Sequence, residues 1–280
     1  MMALNREDIV LRLRRLPALP SVLDAVLSSF ADDDVDIGQI CKQVACDQAL
    51  TARLLRVANS SFYGLQCRVA TINDAVVVLG FRAVRSMVLT LSVNAAFRAD
   101  ACPGFDPLAY TRHCVGVGLA ARAIGEATGR SADLAFAGGI LHDIGKLVLA
   151  SLYAGEYATV LAYRAEHDCP LLLAERDVLG LDHGVIGGLL AETWNFPAIL
   201  GSAIAEHHAP SAATADSLAD LIHVADAIAH GLGVAGGGRD LVMPVDPTAW
   251  RRLGLDEARL ADVLACVVDG LDEASKVFSA

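Results

Sequence analysis

Hydrophobic positions recur along most of this chain every three or four residues, which is the period of an α-helix. One such stripe consists of Ile37, Ile40, Cys41 and Val44. Few segments alternate apolar and polar residues as a half-buried strand does, and aromatic residues make up only 5% of the chain. The pattern therefore predicts an all-α protein.

Capping residues mark the beginning of several predicted helices. Asp36 and Asp47 each precede an apolar stripe, and Thr71 with Asp74 three residues later forms a capping box. Gly80 then indicates a helix end before a wide apolar stripe over residues 81–97. We predict about five short helices in the first hundred residues. That part of the chain has no histidine, and its predicted role is structural or partner-binding.

Two segments rich in proline and glycine divide the chain. The first is Ala101–Pro107, and the second begins with five glycines in residues 231–238 and continues to Pro247. The predicted units are an N-terminal helical lobe (1–105), a second helical lobe (106–235), and a linker with a closing amphipathic helix (236–280). Apolar residues from Leu260 to Leu271 form that last helix, which we expect to pack on the body.

Composition favours a globular protein of the cytoplasm. Apolar residues make up 54% and charged residues 20% of the 280 residues. Charges interrupt the apolar runs before the ~18 residues that a membrane span requires, and residues 1–15 lack a signal-peptide core. The seven cysteines form no CxxC pair, as is usual for reduced thiols. We expect no membrane partner.

The net charge of -11 is unevenly distributed. Residues 1–105 contain 11 Lys and Arg against 10 Asp and Glu, so residues 106–280 hold the remaining 11 basic and 23 acidic residues. An acidic surface repels polyanions, so we expect no direct binding of nucleic acid. A phosphate substrate in this half would require a bound metal ion to reverse the local field.

The segment Leu141-His142-Asp143-Ile144-Gly145-Lys146 carries the most distinctive chemistry of the chain. Adjacent imidazole and carboxylate groups can ligate one divalent ion, and the second carboxylate oxygen can bridge to another. Lys146 follows His142 by four residues, so both are expected on one helical face, where the ammonium group could contact a phosphate.

Several further polar residues interrupt otherwise apolar helices. Together with the His-Asp pair, they form a set of seven candidate metal ligands: His113, His142, Asp143, His183, His207, His208 and Asp226. Any one of them could be a hydrogen-bonded core residue. Seven in one half of the chain favour convergence on one or two metal ions, because burying each without a partner costs a few kcal/mol. No GxGxxG after a strand, GxxxxGK[ST] or GxSxG motif is present.

The order His113, His142-Asp143, Asp226 resembles the H…HD…D signature of the HD-domain metal-dependent phosphohydrolases. Adding His183 and His207-His208 gives a series similar to that of the HD-GYP branch, which hydrolyses cyclic di-GMP. In that branch the lysine of the HD-x-G-K segment contacts phosphate, a role that the resemblance implies for Lys146. The chain departs from HD-GYP after His208, where no Gly-Tyr-Pro follows. Ala109 also stands where some of these enzymes have a ligand Glu, so a third ion is not implied.

Over residues 9 to 235 the chain is most similar to the HDOD family of bacterial signalling proteins. The motifs that carry this resemblance are Leu16-Pro17-Ala18-Leu19-Pro20, residues 47–64, Ile72-Asn73-Asp74-Ala75, residues 139–146, and Trp194-Asn195-Phe196-Pro197. Gln48 replaces a proline that is usual in the family, at a helix start. The resemblance implies an all-helical, two-lobed fold with an HD-like C-terminal bundle.

Three functional hypotheses remain open at the level of sequence. The first is a non-catalytic signalling protein that regulates partner signalling proteins through protein contacts, and the family resemblance favours it. The second is a structural network of hydrogen-bonded histidines, with at most one stabilising ion.

The third hypothesis is a metal-dependent phosphohydrolase acting on a nucleotide or cyclic dinucleotide. His113, His142, Asp143 and Asp226 would hold one ion, and His183, His207 and His208 a second. Asp143 would bridge the ions, and Lys146 would contact the phosphate. Mixed imidazole and carboxylate ligands suit iron, manganese or zinc.

Overall fold

The computed structural model describes residues 4–16, 21–29, 36–60, 65, 68–95, 97, 102–210, 217–234, 241 and 243–278. Within these ranges the chain forms helices and no strand, which confirms the all-α prediction. Parts of the motifs at residues 16–20 and 47–64, and of the glycine-rich segment at 231–238, lie outside the described residues.

The described residues before position 100 form six helices, close to the five predicted. They are α1 (Arg6–Leu13), α2 (Ser21–Ser28), α3 (Ile37–Cys46), α4 (Gln48–Ala58), α5 (Ile72–Leu79) and α6 (Phe81–Ala95). Asp36 and Asp47 accept hydrogen bonds from backbone N–H groups three residues ahead, and both bonds of the Thr71–Asp74 capping box are present. These contacts confirm the predicted helix starts.

Ten helices follow. They are α7 (Pro107–Thr128), α8 (Ala132–Leu141), α9 (Ile144–Leu152), α10 (Ala154–His167), α11 (Leu171–Leu179), α12 (His183–Thr193), α13 (Ala198–Glu206), α14 (Leu218–Gly231), α15 (Pro247–Leu253) and α16 (Glu257–Phe278). Helix α7 is central and packs against α8, α14 and α16.

Helices α7 and α8 cross at direct backbone contact. A Cβ atom at Gly139 would lie 2.7 Å from the Cα atom of Gly118, closer than such atoms ever approach. Two glycines at the crossing therefore allow the helices to approach. This crossing brings His113 of α7 close to His142 at the end of α8.

The His142-Asp143 pair lies at the break between α8 and α9. Asp143 has φ -93° and ψ 13°, outside helical geometry, so the chain changes direction there. The segment Ala132–Leu152 is apolar and long enough to cross a membrane, but 83% of its most apolar window is buried within the fold. Burial of this kind is typical of a core helix pair.

Helix α15 was not predicted, because prolines that follow a glycine-rich segment, as near residue 247, are typical of a linker. Asp246 caps this helix and Pro247 occupies its first turn, where proline is favourable because its N–H would be unbonded anyway. Arg252 of α15 forms a paired ion contact with the buried carboxylate of Asp220 on α14. The closing helix α16 packs on α7, as predicted, and its residues Val263 and Val267 are buried.

The first six helices contact the remainder at several points. Ser86 of α6 donates a hydrogen bond to the carbonyl of Asp133 over 3.0 Å. Arg12 of α1 donates to the carbonyl of Leu152 over 3.1 Å. Hydrogen bonds between the two parts do not locate a domain boundary, so the division at 105/106 and 235/236 stays a prediction.

Candidate metal centre

The structure brings all seven candidate ligands to one place in the core. They come from α7 (His113), the α8–α9 break (His142, Asp143), the start of α12 (His183), the end of α13 (His207, His208) and α14 (Asp226). Six are buried and His208 is partly buried. Metal binding by these residues stays a prediction. The distances between their donor atoms show whether an ion would fit among them.

One cluster lies around the Oδ2 atom of Asp143. This oxygen is 3.5 Å from His113 Nε2 and 3.3 Å from His142 Nε2. The Oδ1 atom of Asp226 completes the cluster, at 3.1 Å from His113 Nε2 and 3.7 Å from His142 Nε2.

A second cluster lies around the other oxygen of Asp143. The Oδ1 atom is 3.1 Å from His183 Nε2 and 3.7 Å from His207 Nε2. His208 Nε2 is 2.8 Å from His183 Nε2. The two oxygens of Asp143 thus face different clusters, as a bridging carboxylate would.

The donor atoms fit a transition-metal ion. Within the described part of the chain, six buried atoms of the clusters have no hydrogen-bond partner: His113 Nδ1, His113 Nε2, His142 Nε2, His207 Nε2, Asp143 Oδ1 and Asp226 Oδ1. Each such atom costs about 1–3 kcal/mol when it stays unbonded. Ligands at roughly 2.0–2.2 Å from an ion are separated by about 3.0–3.5 Å, close to the separations observed here. Both clusters could therefore hold a metal ion.

Hydrogen bonds at the other ring nitrogen direct the imidazoles of His142 and His207 inward. The Nδ1 atoms of His142 and His207 lie 2.6 and 2.9 Å from the carbonyl oxygens of Gly139 and Ile204. An N–H donated to a carbonyl fixes the proton on Nδ1 and leaves the Nε2 lone pair for an ion.

Glu175 of α11 performs the same function for His183, and it was not among the residues predicted from the sequence. Its Oε2 atom accepts from the backbone N–H of His183 over 2.9 Å and lies 2.6 Å from His183 Nδ1. Tyr157 OH is 3.3 Å from the other oxygen. Glu175 lies four residues from both Leu171 and Leu179, so helical spacing could have shown that it faces the core.

His230, on the last turn of α14, was also missed. Its Nε2 atom lies 3.3 Å from Asp226 Oδ1. The signal was its position four residues after Asp226, which places both side chains on one helical face. The other two histidines, His167 and His223, belong to no metal-binding group among the described residues.

Burial and neighbouring charges shift the pKa values of the site. Burial raises the pKa of Asp143, but the charges of His142 and Lys146 outweigh it and hold that pKa well below its usual range. Burial lowers and Glu175 raises the pKa of His183, which reaches about 9. Burial, with the charges of His142 and His183, lowers the pKa of His207 to about 3. His207 is therefore a neutral imidazole with a lone pair available to an ion.

Lys146 contacts the bridging carboxylate. Its Nζ atom lies 2.5 Å from Asp143 Oδ2, and 15% of its side chain is exposed. Burial lowers the pKa of Lys146, but Asp143 opposes this and the net shift is upward. The side chain is thus a fixed positive charge at the edge of the centre.

A cavity of about 300 Å³ opens onto the two candidate clusters. Lys146 and Arg164 place positive charge along it, and Phe105, Tyr110 and Tyr157 provide aromatic surface. His113, Asp143, His183, His208 and His230 also line it. All described lining residues lie between Gly104 and Met243, after the first six helices.

Comparison with solved structures places the fold. A crystal structure of an HDOD domain protein with unknown function from Geobacter sulfurreducens has a TM-score of 0.80 at 23% identity, covering 98% of this chain and 99% of that one. A candidate phosphohydrolase from Shewanella amazonensis SB2B has a TM-score of 0.76 at 28% identity, covering 96% of this chain and 97% of that one.

Comparison with protein sequences gives the family. An uncharacterized protein from Treponema pallidum (strain Nichols) is 27% identical over 201 residues, which is 70% of this chain but 38% of that protein. This chain thus spans well under half of that relative. The family model of the HDOD domain matches residues 16–210, including both the N-terminal motifs and the His142-Asp143 pair. Because that match covers more than half of the sequence, the chain belongs to the HDOD domain family.

Proposed function

We propose that this HDOD protein is a metal-dependent phosphohydrolase. The observation that carries the proposal is the bridging position of Asp143, whose two oxygens face two groups of imidazole nitrogens beside an open cavity. A structural network of hydrogen-bonded histidines would leave no such set of buried, unpartnered nitrogens among the described residues. The similarity to a candidate phosphohydrolase at 28% identity supports the same chemistry.

The two clusters would divide the ligands as predicted from the sequence. His113, His142 and Asp226 would hold one ion, and His183, His207 and His208 the other, with Asp143 shared between them. This donor set suits iron, manganese or zinc. When bound, such ions supply an acidified water and withdraw charge from a phosphoryl oxygen.

Residues of the chain would position the substrate. Lys146 and Arg164 line the cavity beside the clusters, so their positive charges can attract a phosphate group into an otherwise acidic part of the molecule. Phe105 and Tyr110, with ring centroids 5.7 Å apart, provide an apolar surface for a base or another flat group.

The cavity volume favours a small substrate. About 300 Å³ lies at the lower end of the range for small-molecule sites, roughly 300–1,000 Å³. A phosphate ester of mononucleotide size or smaller would fit better than a cyclic dinucleotide entering whole. A substrate screen should therefore contain nucleotides, short diesters and cyclic dinucleotides.

The test combines metal content with hydrolysis. The full chain, purified without chelators, is compared by elemental analysis with His142→Ala and Asp143→Ala, and each is assayed on bis-p-nitrophenyl phosphate and the nucleotide set. We expect up to two ions per chain and turnover in the wild type, and fewer bound ions with no turnover in the variants. His167→Ala is the control, because His167 is exposed and belongs to no candidate metal-binding group among the described residues. A metal-free wild type, or turnover unaffected by His142→Ala, would overturn the proposal.

A regulatory role through protein contacts in the cytoplasm is the second candidate. The observation that favours it is the set of helices α1–α6, from which no described residue lines the cavity. Val77 on α5 is 83% exposed and the adjacent Val78 is 43% exposed, an apolar surface that a signalling partner could cover.

Chromosomal variants separate the two functions. If regulation acts through α5, Val77→Asp should reproduce the phenotype of a deletion strain while the purified variant keeps its metal and its melting temperature. His142→Ala should then have no phenotype. The opposite pattern, with a phenotype only for His142→Ala, would exclude regulation by this surface.

A further inference from the structure

We propose that His230 is an additional ligand of the ion at the His113 and Asp226 cluster. This inference rests on the metal centre proposed above. His230 belongs neither to the pattern of candidate ligands found in the sequence nor to the residues that the HD resemblance implies.

The position of His230 on α14 directs it to this cluster. It follows Asp226 by four residues, and its Nε2 atom is 3.3 Å from Asp226 Oδ1. Its ring lies 4.6 Å from that of His113, centroid to centroid. Possible ligand atoms of His113, Asp226 and His230 all lie within 4.8 Å of one another. These three residues thus satisfy the spacing of a metal site by themselves.

The surroundings of Asp226 Oδ1 favour coordination over hydrogen bonding. Three imidazole Nε2 atoms surround this oxygen, from His113 at 3.1 Å, His230 at 3.3 Å and His142 at 3.7 Å. None of the described groups donates a well-directed hydrogen bond to it. Hydrogen bonds point along one N–H direction, whereas ligands of a shared ion point at the ion and lie about 3.0–3.5 Å apart.

His230 occupies the open side of the cluster. Its side chain is 20% exposed, against 6% for His113 and 1% for His142, and it lines the cavity. A ligand at this position would reduce the number of sites left for water or substrate on that ion. It would also raise the number of imidazole ligands of that ion from two to three, which favours zinc or iron over manganese.

The experiment is a titration of the metal-free full chain with Co²⁺, followed by metal content and by the visible absorption of the bound ion. The samples are wild type, His230→Gln, which removes the ligand, and His230→Asp, which returns an anionic ligand. His167→Gln is the matched control at an exposed histidine. Neither readout depends on activity.

We expect His230→Gln to weaken one of two Co²⁺ sites by at least about tenfold, because losing even a residue that only supports a ligand costs about that much. The visible spectrum of that site should also change. His230→Asp should recover part of the affinity, and His167→Gln should match wild type. Wild-type affinity and spectrum in His230→Gln would overturn the inference and indicate a substrate contact instead.

Equal losses in the Gln and Asp variants would also overturn it, because they would indicate altered packing of the helix end. A wild-type chain that binds no Co²⁺ would remove the metal centre itself, and with it the proposed phosphohydrolase function. The two failures are thus distinguishable.

Discussion

His223 and His142 are both buried histidines, and their hydrogen bonds separate a structural role from a ligand role. His223 Nδ1 lies 2.7 Å from the carbonyl oxygen of His207, and its Nε2 atom accepts from the N–H of Asp246 over 2.9 Å. Both nitrogens are used, so no lone pair remains for a metal ion. His142 uses only Nδ1, and no described residue bonds its Nε2 atom.

Glu175 gives the first prediction, because it would act on a bound ion only through its contacts with His183. Glu175→Gln should weaken metal binding by about 10- to 100-fold, as is usual when a carboxylate that orients a ligand histidine is lost. The physical reason is that a neutral amide accepts the Nδ1–H of His183 less strongly than a carboxylate does, so it holds the ligand tautomer and ring orientation less well. Metal affinity of the second cluster, measured by competition with a chelating dye, checks this.

The control for Glu175→Gln lies on the same helix. Asp177→Asn makes the same chemical change at an exposed position that contacts Tyr163, so it should bind metal as wild type does. Equal affinity in Glu175→Gln and Asp177→Asn would contradict the orienting role of Glu175.

Single residues also mark the limit of what the sequence could predict. His113, His142 and Asp226 were found because each interrupts an apolar helix, where a polar group requires a partner. Glu175 was missed because its helix also carries exposed charges, so the residue does not interrupt an apolar run. His223 and His230 both lie on α14 at helical spacing from Asp226. Only their contacts with other helices show which of them lies beside the candidate ligands, and these contacts cannot be read from the spacing along one helix.

At the scale of elements, the contact between α9 and α12 places Asp143 against His183. Gly145 lies in the first turn of α9, and a Cβ atom there would be 1.9 Å from the carbonyl oxygen of His183. The contact is with backbone, which cannot move without shifting the start of α12. Glycine at this position is therefore required for the close approach.

The second prediction follows from this contact. Gly145→Ala should destabilise the fold by about 1–3 kcal/mol or more, the usual cost of overpacking, and should weaken metal binding by displacing His183. Gly155→Ala is the control, since a Cβ atom there meets nothing within 4 Å. It should leave stability unchanged or raise it by up to about 1 kcal/mol. Urea unfolding of both variants measures the difference, and equal midpoints would show that α9 and α12 can separate.

Most elements were predictable because apolar spacing and caps agree, as at Asp36, Asp47 and Thr71. Helix α15 was not, because Pro247 is ambiguous in sequence. Proline after a glycine-rich run is typical of a linker, but proline after a capping Asp begins a helix. Burial of Ala249 and Leu253 against the body decides between these, and burial is a tertiary property.

At the scale of the whole molecule, the candidate ligands connect helices that are distant in sequence. His113 and Asp226 are on α7 and α14, and the shared Asp143 joins them to His183 on α12. A bound ion would therefore fasten these helices together. Helices α3–α5 supply no candidate ligand among their described residues.

The third prediction concerns this unequal distribution. Adding Zn²⁺ or Mn²⁺ to the metal-free chain should slow amide hydrogen exchange in α7, α9, α12 and α14, but not in α3–α5. A site held at 100 times its dissociation constant stabilises the folded state by about 2.7 kcal/mol. For a chain of this size we expect the melting temperature to rise by roughly 5–10 °C, and a chelator should reverse the rise.

The matched control is His142→Ala, which removes one candidate ligand and leaves the molecular surface unchanged because His142 is fully buried. Its exchange rates should respond less to the metal, and only at α12 and the end of α13, where the second cluster lies. Uniform slowing over all helices, or slowing in α3–α5 alone, would mean that the ion binds elsewhere on this acidic molecule. Slowing confined to the ligand-bearing helices would mean instead that the His142-Asp143 centre couples metal binding to the stability of half of the fold.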